Sequence, residues 1–330
     1  MRPTPQALLR HAKATLFLVA EPLHIRYLTG IPRDAGLLLV TPRQYILYVD
    51  PRFAADAERR VRPGIIVRDS EELPHRLRKE RTCGFEADRV HVHRREAWKR
   101  AFPHTAFLPC TEVLEKFRRR KEAEELRAIR RAHRITRAML RCVPRALRPG
   151  VREDQLARML RIWALERGAD GLAFDPIVAF GTHTASPHHV PTSRRFRRGD
   201  LVQIDAGARV QGYCADMSEV FFTRAPTVEQ ARMYRMLKRA QRRAMAEVKP
   251  GASTHALDRC ARDVLREEGL EDAFCHALGH GVGLEIHEGV TLSQKRPEAT
   301  LLAGEVVTVE PGVYFPGRYG MRVEDMVYVS

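Results

Sequence analysis

The hydrophobic positions in the first third of the chain fall in short runs separated by Pro, Gly and charged residues. The runs Thr15–Val19, Gly36–Val40 and Tyr45–Val49 have the length of buried strands. The intervening segments Asp50–Arg60 and Val92–Ala101 have the spaced apolar residues of helices. This alternation predicts an α/β domain of modest size over residues 1–115.

A long charged segment, Glu112–Leu140, follows these elements. Its apolar positions, among them Leu126, Ile129 and Met139, fit the helical period loosely and predict one continuous helix. We place the domain boundary near the start of this helix, which assigns residues 116–330 to a second domain.

The second domain repeats its own pattern. Arg148–Gly150 reads Arg-Pro-Gly before an amphipathic segment, and Lys249–Gly251 reads Lys-Pro-Gly before another, 101 residues later. An apolar strand with an acidic end, Gly199–Gly207, returns 105 residues later as Gly304–Gly312. Four anchors in the same order indicate a duplication in which each copy contains helices, a strand and an acidic hairpin.

Composition indicates a folded protein without a membrane span. Apolar residues make up 44% and charged residues 30% of the 330 residues, which is too apolar for disorder. No apolar run approaches the ~20 residues of a membrane helix, and Ala14–Ala20 lacks the cleavage pattern of a signal peptide. The six cysteines form no C-x-x-C pair, which suits a reducing compartment and predicts a cytoplasmic protein.

The net charge of +16 raises the question of nucleic-acid binding. However, 49 of the 57 basic residues are Arg and they are scattered along the chain, which indicates a general compositional bias. The helical spacing of Arg232, Arg235, Arg239 and Arg242 is typical of a solvated face. We therefore do not expect nucleic acid to be the partner.

Each copy of the repeat contains two acidic residues. Asp205 ends an apolar strand and Asp216 follows eleven residues later, whereas Glu310 stands at the position of Asp205 and Glu324 follows fourteen residues later. Four ionised carboxylates cannot share a buried site without cations, because desolvation and repulsion are both large. An arginine could pair with one of them, but bound divalent metal accounts for all four.

One imidazole completes this set. His280 lies in Gly279-His-Gly-Val-Gly283, whose small residues allow backbone and ligand to approach closely. Four carboxylates and one histidine favour Mn²⁺, with Co²⁺ or Zn²⁺ as alternatives, over a structural zinc held by thiolates. Bridging carboxylates can hold two such ions about 3.5–4 Å apart, an arrangement suited to hydrolysis.

These residues resemble a known family, the pita-bread metallopeptidases, and within it the Xaa-Pro peptidases aminopeptidase P and prolidase. The resemblance rests on a few segments together with Asp216: Asp205–Gly207, Leu278–Glu288, Val309–Tyr314 and Arg322–Asp325. Arg26–Gly30 is similar to the creatinase-like N-terminal domain of these enzymes. The resemblance implies a protein of the α/β (α+β) class, with a creatinase-like N-terminal domain followed by a duplicated pita-bread catalytic domain.

The resemblance also implies roles for individual residues. Asp205 would bind one metal ion, and His280 and Glu310 would bind the other. Asp216 and Glu324 would bind both ions. Glu310 would accept the proton of the attacking water. His188 and His287 would hold the scissile carbonyl, although the adjacent His189 is an alternative to His188. Phe174 and His276 would line the pocket for the proline ring. The substrates would be proline-containing dipeptides or short peptides, and the enzyme would be a homodimer.

The sequence departs from the family pattern at two places. Ser218-Glu219-Val220 stands where relatives often have Thr-Arg-Thr, although Ser218 can still hydrogen-bond to a ligating carboxylate. Prolidases often have an Arg shortly after the His-Glu pair, where it binds the carboxylate of the dipeptide. Gly289-Val290-Thr291 contains none. Arg322 or a residue of the N-terminal domain could take over this role.

Other functions remain open at this stage. Methionine aminopeptidases share the metal ligands but usually lack such an N-terminal domain, and creatinase has both domains but works without metal. A metal-dependent aminopeptidase of other specificity is therefore one alternative. A pita-bread module that binds nucleic acid or protein is another, but such modules have typically lost the ligands that this chain retains.

Overall fold

The structure, a computed structural model, describes residues 2–31 and 36–330. It divides into two compact units, of which one ends at Arg118 and the other begins at Arg119. The predicted domain boundary, between residues 115 and 116, lies three residues before this division. That each side is an independent domain stays a prediction.

The N-terminal unit contains a six-stranded mixed sheet and short helices. Its helices are α1 (Pro5–Ala12), α2 (Pro22–Thr29), α3 (Pro51–Arg60), α4 (Glu72–Leu77), α5 (Val92–Ala101) and α6 (Glu115–Arg118). Its strands are β1 (Phe17–Val19), β2 (Leu37–Val40), β3 (Tyr45–Val49), β4 (Ile65–Asp69), β5 (Thr82–Glu86) and β6 (Ala106–Cys110). The strand order is β4-β3-β2-β1-β5-β6, in which β1–β2 and β2–β3 are antiparallel and the other pairs parallel.

Local sequence explains where the first helices begin. Helices α1, α2 and α3 each have Pro in the first turn, where the missing N–H costs no hydrogen bond. The side chains of the preceding residues, Thr4, Glu21 and Asp50, each accept a backbone N–H of that turn. The three predicted strands and the two predicted helices of this unit are confirmed as β1, β2, β3, α3 and α5.

The C-terminal unit combines long helices with short antiparallel sheets. Its helices are α7 (Ala123–Leu140), α8 (Val143–Ala146), α9 (Glu153–Glu166), α10 (Val228–Ala246) and α11 (Thr254–Arg266). The strands of its first half are β7 (Gly171–Leu172), β8 (Ile177–Phe180), β9 (Leu201–Ala206), β10 (Ala208–Val210), β11 (Tyr213–Cys214) and β12 (Met217–Phe222). Those of its second half are β13 (Gly279–His280), β14 (Thr291–Leu292), β15 (Val306–Val309), β16 (Gly312–Phe315), β17 (Tyr319–Arg322) and β18 (Asp325–Tyr328).

Each half of this unit contains two long helices followed by six short strands, as the sequence repeat predicts, although α8 has no counterpart in the second half. Each half ends in an acidic antiparallel pair, β9 with β12 and β15 with β18. Glycines at equivalent positions have the same left-handed backbone: φ is +90° at Gly150 and +89° at Gly251, and +97° at Gly199 and +88° at Gly304. Because side chains other than glycine are strained there, both copies need glycine at the same turns.

The prediction of one continuous helix over Glu112–Leu140 is wrong. Helix α6 ends at Arg118 and helix α7 begins at Ala123. Between them the N–H of Lys121 donates to the carbonyl of Gly304 at 2.8 Å, a bond that a helical backbone cannot make. The N–H of Glu122 then donates to the Glu125 carboxylate at 2.9 Å, which starts a new helix. Within residues 2–31 and 36–330, no helix has both the length and the apolar character to cross a membrane.

Candidate metal centre and substrate cavity

All five predicted metal ligands lie in the C-terminal unit, at the ends of its antiparallel pairs. Asp205 lies on β9, Asp216 just before β12, His280 on β13, Glu310 just after β15 and Glu324 just before β18. Asp216, His280 and Glu324 each offer one ligand atom within 4.8 Å of the others. Residues separated by more than 100 positions in sequence thus form one cluster.

A close backbone packing sets the distance between the first two acids. Ser218 on β12 pairs with Asp205 on β9, so the start of β12 lies beside the end of β9. A Cβ atom added at Gly207 would lie 1.7 Å from the carbonyl oxygen of Ala215. Only glycine permits this approach, which holds Asp205 and Asp216 on the same side of the turn.

The backbone around His280 fixes its ring. The Nδ1 atom of His280 lies 3.1 Å from the carbonyl oxygen of Gly281, to which the neutral ring donates. The backbone N–H of His280 donates to Oγ1 of Thr308 at 3.1 Å. The Nε2 atom remains, 3.5 Å from Oδ2 of Asp216 and 3.6 Å from Oε1 of Glu310. A histidine held through Nδ1 in this way presents Nε2 as a metal ligand.

Burial and mutual repulsion shift the pKa values of the acidic cluster. Burial raises the pKa of Asp205 to about 7 and that of Glu310 to about 8, and it raises the pKa of Glu324 strongly. Asp216 raises all three further by repulsion. Burial alone would lower the pKa of His280, but Asp216 and Glu310 raise it to about 9. Burial and repulsion therefore disfavour several charged carboxylates at this site unless cations compensate them.

Two buried oxygens lack partners. Oδ1 of Asp205 and Oδ1 of Asp216 have no hydrogen-bond donor within the described parts of the chain. A buried carboxylate oxygen left in this state is costly, and a divalent cation removes that cost. The orphaned oxygens, the carboxylate-rich donor set and the exposed Nε2 of His280 fit divalent metal ions with a preference for oxygen and imidazole ligands.

Arg322 hydrogen-bonds to Asp205 directly and is linked to Glu324 through Ser218. Its Nη2 donates to Oδ2 of Asp205 at 2.5 Å, and its Nε donates to the hydroxyl of Ser218 at 2.8 Å. That hydroxyl donates to Oε2 of Glu324 at 3.0 Å, so the expected bond from Ser218 to a ligating carboxylate is present. The Nη1 of Arg322 donates to the hydroxyl of Tyr314 at 2.7 Å and to the carbonyl of Pro187 at 3.1 Å. Each nitrogen of this predicted substrate-binding group is therefore bonded within the protein.

A cavity of about 1010 Å³ opens onto the cluster. This is at the upper end of the volumes usual for small-molecule pockets. All the predicted catalytic and substrate-binding residues line it: Phe174, His188, His276, His287, Glu310 and Arg322. The ring of His287 packs edge-on against that of His280, with 4.1 Å between centroids, and burial together with His280 lowers the pKa of His287.

His276 is held as a neutral ring. Its Nδ1 lies 2.8 Å from the carbonyl of Ala277, and its Nε2 lies 3.0 Å from the hydroxyl of Tyr314. Burial and the charge of Arg322 lower the pKa of His276 to about 3. We therefore assign the proton to Nδ1 and the acceptor role to Nε2. Tyr314, which links Arg322 to His276, was not singled out by the sequence analysis.

A buried acid outside the acidic cluster, Glu153, organises the segment that carries His188. Its Oε2 accepts from Nε2 of His189 at 2.9 Å and from both the N–H and the hydroxyl of Thr192, at 3.0 and 2.7 Å. Its Oε1 lies 2.9 Å from Nδ1 of His183 and accepts from the N–H of Phe180. Because His189 is bonded to Glu153, the geometry favours His188 over its neighbour for contact with the substrate. Glu153 gives no sequence signal beyond an acidic first helical turn.

Comparisons with known proteins agree with this architecture. The sequence model of the Metallopeptidase family M24 matches residues 127–330. That of the Creatinase/Prolidase N-terminal domain matches residues 4–120. A Xaa-Pro dipeptidase of Pyrococcus furiosus is 33% identical over 94% of this chain and 90% of its own length.

Two solved structures are similar over nearly the whole chain. The Xaa-Pro dipeptidase from Bacillus anthracis has a TM-score of 0.92 and 30% identity, covering 99% of this chain and 93% of its own. An X-Pro aminopeptidase from Thermotoga maritima has a TM-score of 0.90 and 29% identity, covering 98% and 94%. Together with the converging ligands, these matches show that the chain belongs to metallopeptidase family M24 and has a creatinase/prolidase-type N-terminal domain.

Proposed function

We propose that this protein hydrolyses the peptide bond between an N-terminal residue and a following proline, with two divalent metal ions bound at the acidic cluster. The observation that carries the proposal is the convergence of Asp216, His280 and Glu324, with Glu310 beside them and Arg322 orienting Asp205. The Xaa-Pro dipeptidases among its relatives are named for this bond. Mn²⁺ is the proposed metal, because four carboxylates and one imidazole form a hard ligand set.

The metal ions, when bound, supply Lewis-acid activation of water and of the scissile carbonyl. The carboxylate of Glu310 is the proposed acceptor of the proton that water loses on attack. His188 and His287 are proposed to donate hydrogen bonds to the carbonyl oxygen as negative charge develops there.

The cavity wall supports the proposed preference for proline. Phe174 and His276 line the cavity, and their flat, largely apolar rings suit contact with a pyrrolidine ring. The position of the His276 ring is set by Tyr314. A rigid pocket of this kind positions the substrate relative to the attacking water, and positioning contributes strongly to rate. A homodimeric state and a cytoplasmic location stay predictions from the sequence.

The direct test removes one ligand at a time. Asp216→Asn and His280→Ala are each expected to lower bound metal and to reduce alanine release from Ala-Pro by at least about a hundredfold. Asp272→Asn, at an exposed acid eight positions before His280 and outside the cavity lining, is the matched control and should leave both unchanged. Full turnover in both ligand variants would overturn the proposal.

A further inference from the structure

Another group of side chains with metal-binding atoms lies outside the acidic cluster. Glu153, His183 and His189 each offer one ligand atom, and these three atoms lie within 4.8 Å of one another. Glu153 is on helix α9, whereas His183 lies in the 3₁₀ helix Gly181–Ala185 that follows β8. None of the three is among the five predicted metal ligands, so this group is a separate candidate site.

The two imidazoles face the same carboxylate. Nδ1 of His183 lies 2.9 Å from Oε1 of Glu153, and Nε2 of His189 lies 2.9 Å from Oε2. The centroids of the two rings are 4.5 Å apart. Two ligand atoms bound to one tetrahedral zinc ion at about 2.0–2.2 Å lie about 3.3–3.5 Å from each other. Each nitrogen therefore needs to withdraw from its oxygen by only about 0.5 Å to share an ion with it.

Glu153 is offered more partners than its two oxygens accommodate. Its buried carboxylate accepts from the N–H of Phe180 and from both the N–H and the hydroxyl of Thr192, and it also faces the two imidazole nitrogens. These are five partners, whereas a carboxylate has about four lone-pair sites. One cation in place of the two imidazole N–H groups leaves three donors and the metal, which matches the four sites.

Solvent reaches this group from one side. The side chain of His183 is 34% exposed and that of His189 is 12% exposed, whereas Glu153 is fully buried. An ion can therefore enter past His183, and water can occupy the fourth position of a tetrahedral ion that has three protein ligands. The buried face provides the carboxylate, and the exposed face provides the route.

The donor set selects zinc over manganese. Two imidazoles and one carboxylate are softer ligands than the four carboxylates and one imidazole of the acidic cluster. Imidazole nitrogen suits Zn²⁺, and a given site of nitrogen and oxygen ligands binds Zn²⁺ more tightly than Mn²⁺. Zn²⁺ is therefore the ion that fits this group best.

We propose that Glu153, His183 and His189 form a zinc-binding site, separate from the proposed catalytic metal pair, that fixes the segment carrying His188. The ion would join two points of this segment, one on each side of His188, to helix α9. Such a link restricts the conformations of the segment and presents His188 to the cavity from a fixed backbone. Zinc binding at this site does not require that the protein cleave Xaa-Pro bonds.

The number of zinc ions bound per chain tests this site. Metal-free wild-type protein titrated with Zn²⁺ should bind one more ion per chain than the His183→Asn variant. Asparagine can still donate a hydrogen bond to Glu153, so the variant should fold. Loss of this ligand should weaken the extra ion by more than the roughly 10–100-fold that loss of an outer-shell partner costs.

The matched control is His104→Asn, which removes an exposed histidine in the N-terminal unit. It should bind as many zinc ions as wild type. Equal zinc content in wild type and His183→Asn would overturn the inference, and so would a loss of the same ion in His104→Asn.

A variant with a disabled acidic cluster separates this site from the proposed function. Asp216→Asn/His280→Ala protein should still bind one Zn²⁺ per chain, and adding His183→Asn should abolish that binding. Zinc should also slow hydrogen exchange in residues 181–192 of the first variant but not of the second. If wild-type protein cleaves no Xaa-Pro substrate and this zinc still binds through His183, the proposed function fails and the zinc site stands. Absence of zinc binding by Asp216→Asn/His280→Ala protein that unfolds cooperatively in urea would overturn the zinc site whatever the activity.

Discussion

Arg322 donates from Nη2 to Oδ2 of Asp205 across 117 positions of sequence, at 2.5 Å. This bond joins the two halves of the duplicated unit, because Asp205 lies on β9 and Arg322 on β17. It also provides the acidic cluster with its one buried arginine among the cavity-lining residues. Asp205 therefore depends on Arg322 whenever metal is absent.

We expect Arg322→Met to destabilise the metal-free protein by about 3–5 kcal/mol, because it removes one partner of a buried pair. Saturating Mn²⁺ should reduce this loss, since a bound cation compensates Asp205 in place of the guanidinium. Urea unfolding in chelator and in metal measures both effects. The control is Arg318→Met, whose exposed pair with Glu229 at 2.9 Å should contribute little to stability because water screens it. Equal effects of the two substitutions would show that the Asp205 bond is unimportant.

Gly279→Ala should disturb the metal site through the backbone alone. The added Cβ would lie 2.0 Å from the carbonyl oxygen of Thr308, so β13 and β15 must separate and His280 must move with β13. Overpacking of this kind costs about 1–3 kcal/mol, and metal affinity should fall with it.

The matched control for this substitution is Gly317→Ala, in the turn between β16 and β17. Its added Cβ would meet no atom within 4 Å, although φ is +76°. This variant should lose some stability through backbone strain but should bind metal as wild type does. Unfolding and metal titration of both variants test the point, and unchanged metal affinity in Gly279→Ala would contradict it.

We expect the stability of the protein to depend on pH in the acidic range because of Glu153. Burial alone would raise its pKa, but hydrogen bonds from His189, Thr192 and the N–H of Phe180 overcome this and lower it. Because the pKa of Glu153 is lower in the folded state, its charged form stabilises the fold above the unfolded-state pKa of about 4.3. This stabilisation is lost as the pH falls through the lower folded-state pKa. Glu153→Gln should therefore cost about 3 kcal/mol at pH 7 and progressively less below about pH 4.

Urea midpoints of wild type and Glu153→Gln from pH 7 down to pH 3 check this dependence. Glu166→Gln, at the exposed end of the same helix α9, is the control and should remain close to wild type throughout. If the urea midpoints of Glu153→Gln and wild type differ as much at pH 3 as at pH 7, the carboxylate charge of Glu153 does not contribute to stability.

The clustering of the five predicted metal ligands could be anticipated from sequence because several of them stand in a distinctive setting. Asp205 and Glu310 end apolar strands, and His280 lies between glycines that pack backbone against backbone. The sequence repeat indicated that two acidic hairpins would be equivalent. These features are local, and the family resemblance brought them into one site.

The supporting residues could not be found in this way, because their roles depend on contacts across long distances in sequence. Glu153 lies 36 positions before His189, so the two residues meet only in the folded chain. A charged helical turn gives no sign that Glu153 is buried. The break before α7 likewise depends on Gly304, which is 183 positions away from Lys121.

The central claim is metal-dependent cleavage before proline, and its most direct test is the release of free alanine from Ala-Pro by protein stripped of metal. We predict no cleavage in chelator and restored cleavage on addition of Mn²⁺, together with about two ions bound per chain. Tight binding of Mn²⁺ without cleavage of Ala-Pro, Ala-Pro amide or Ala-Pro-Ala would contradict the account.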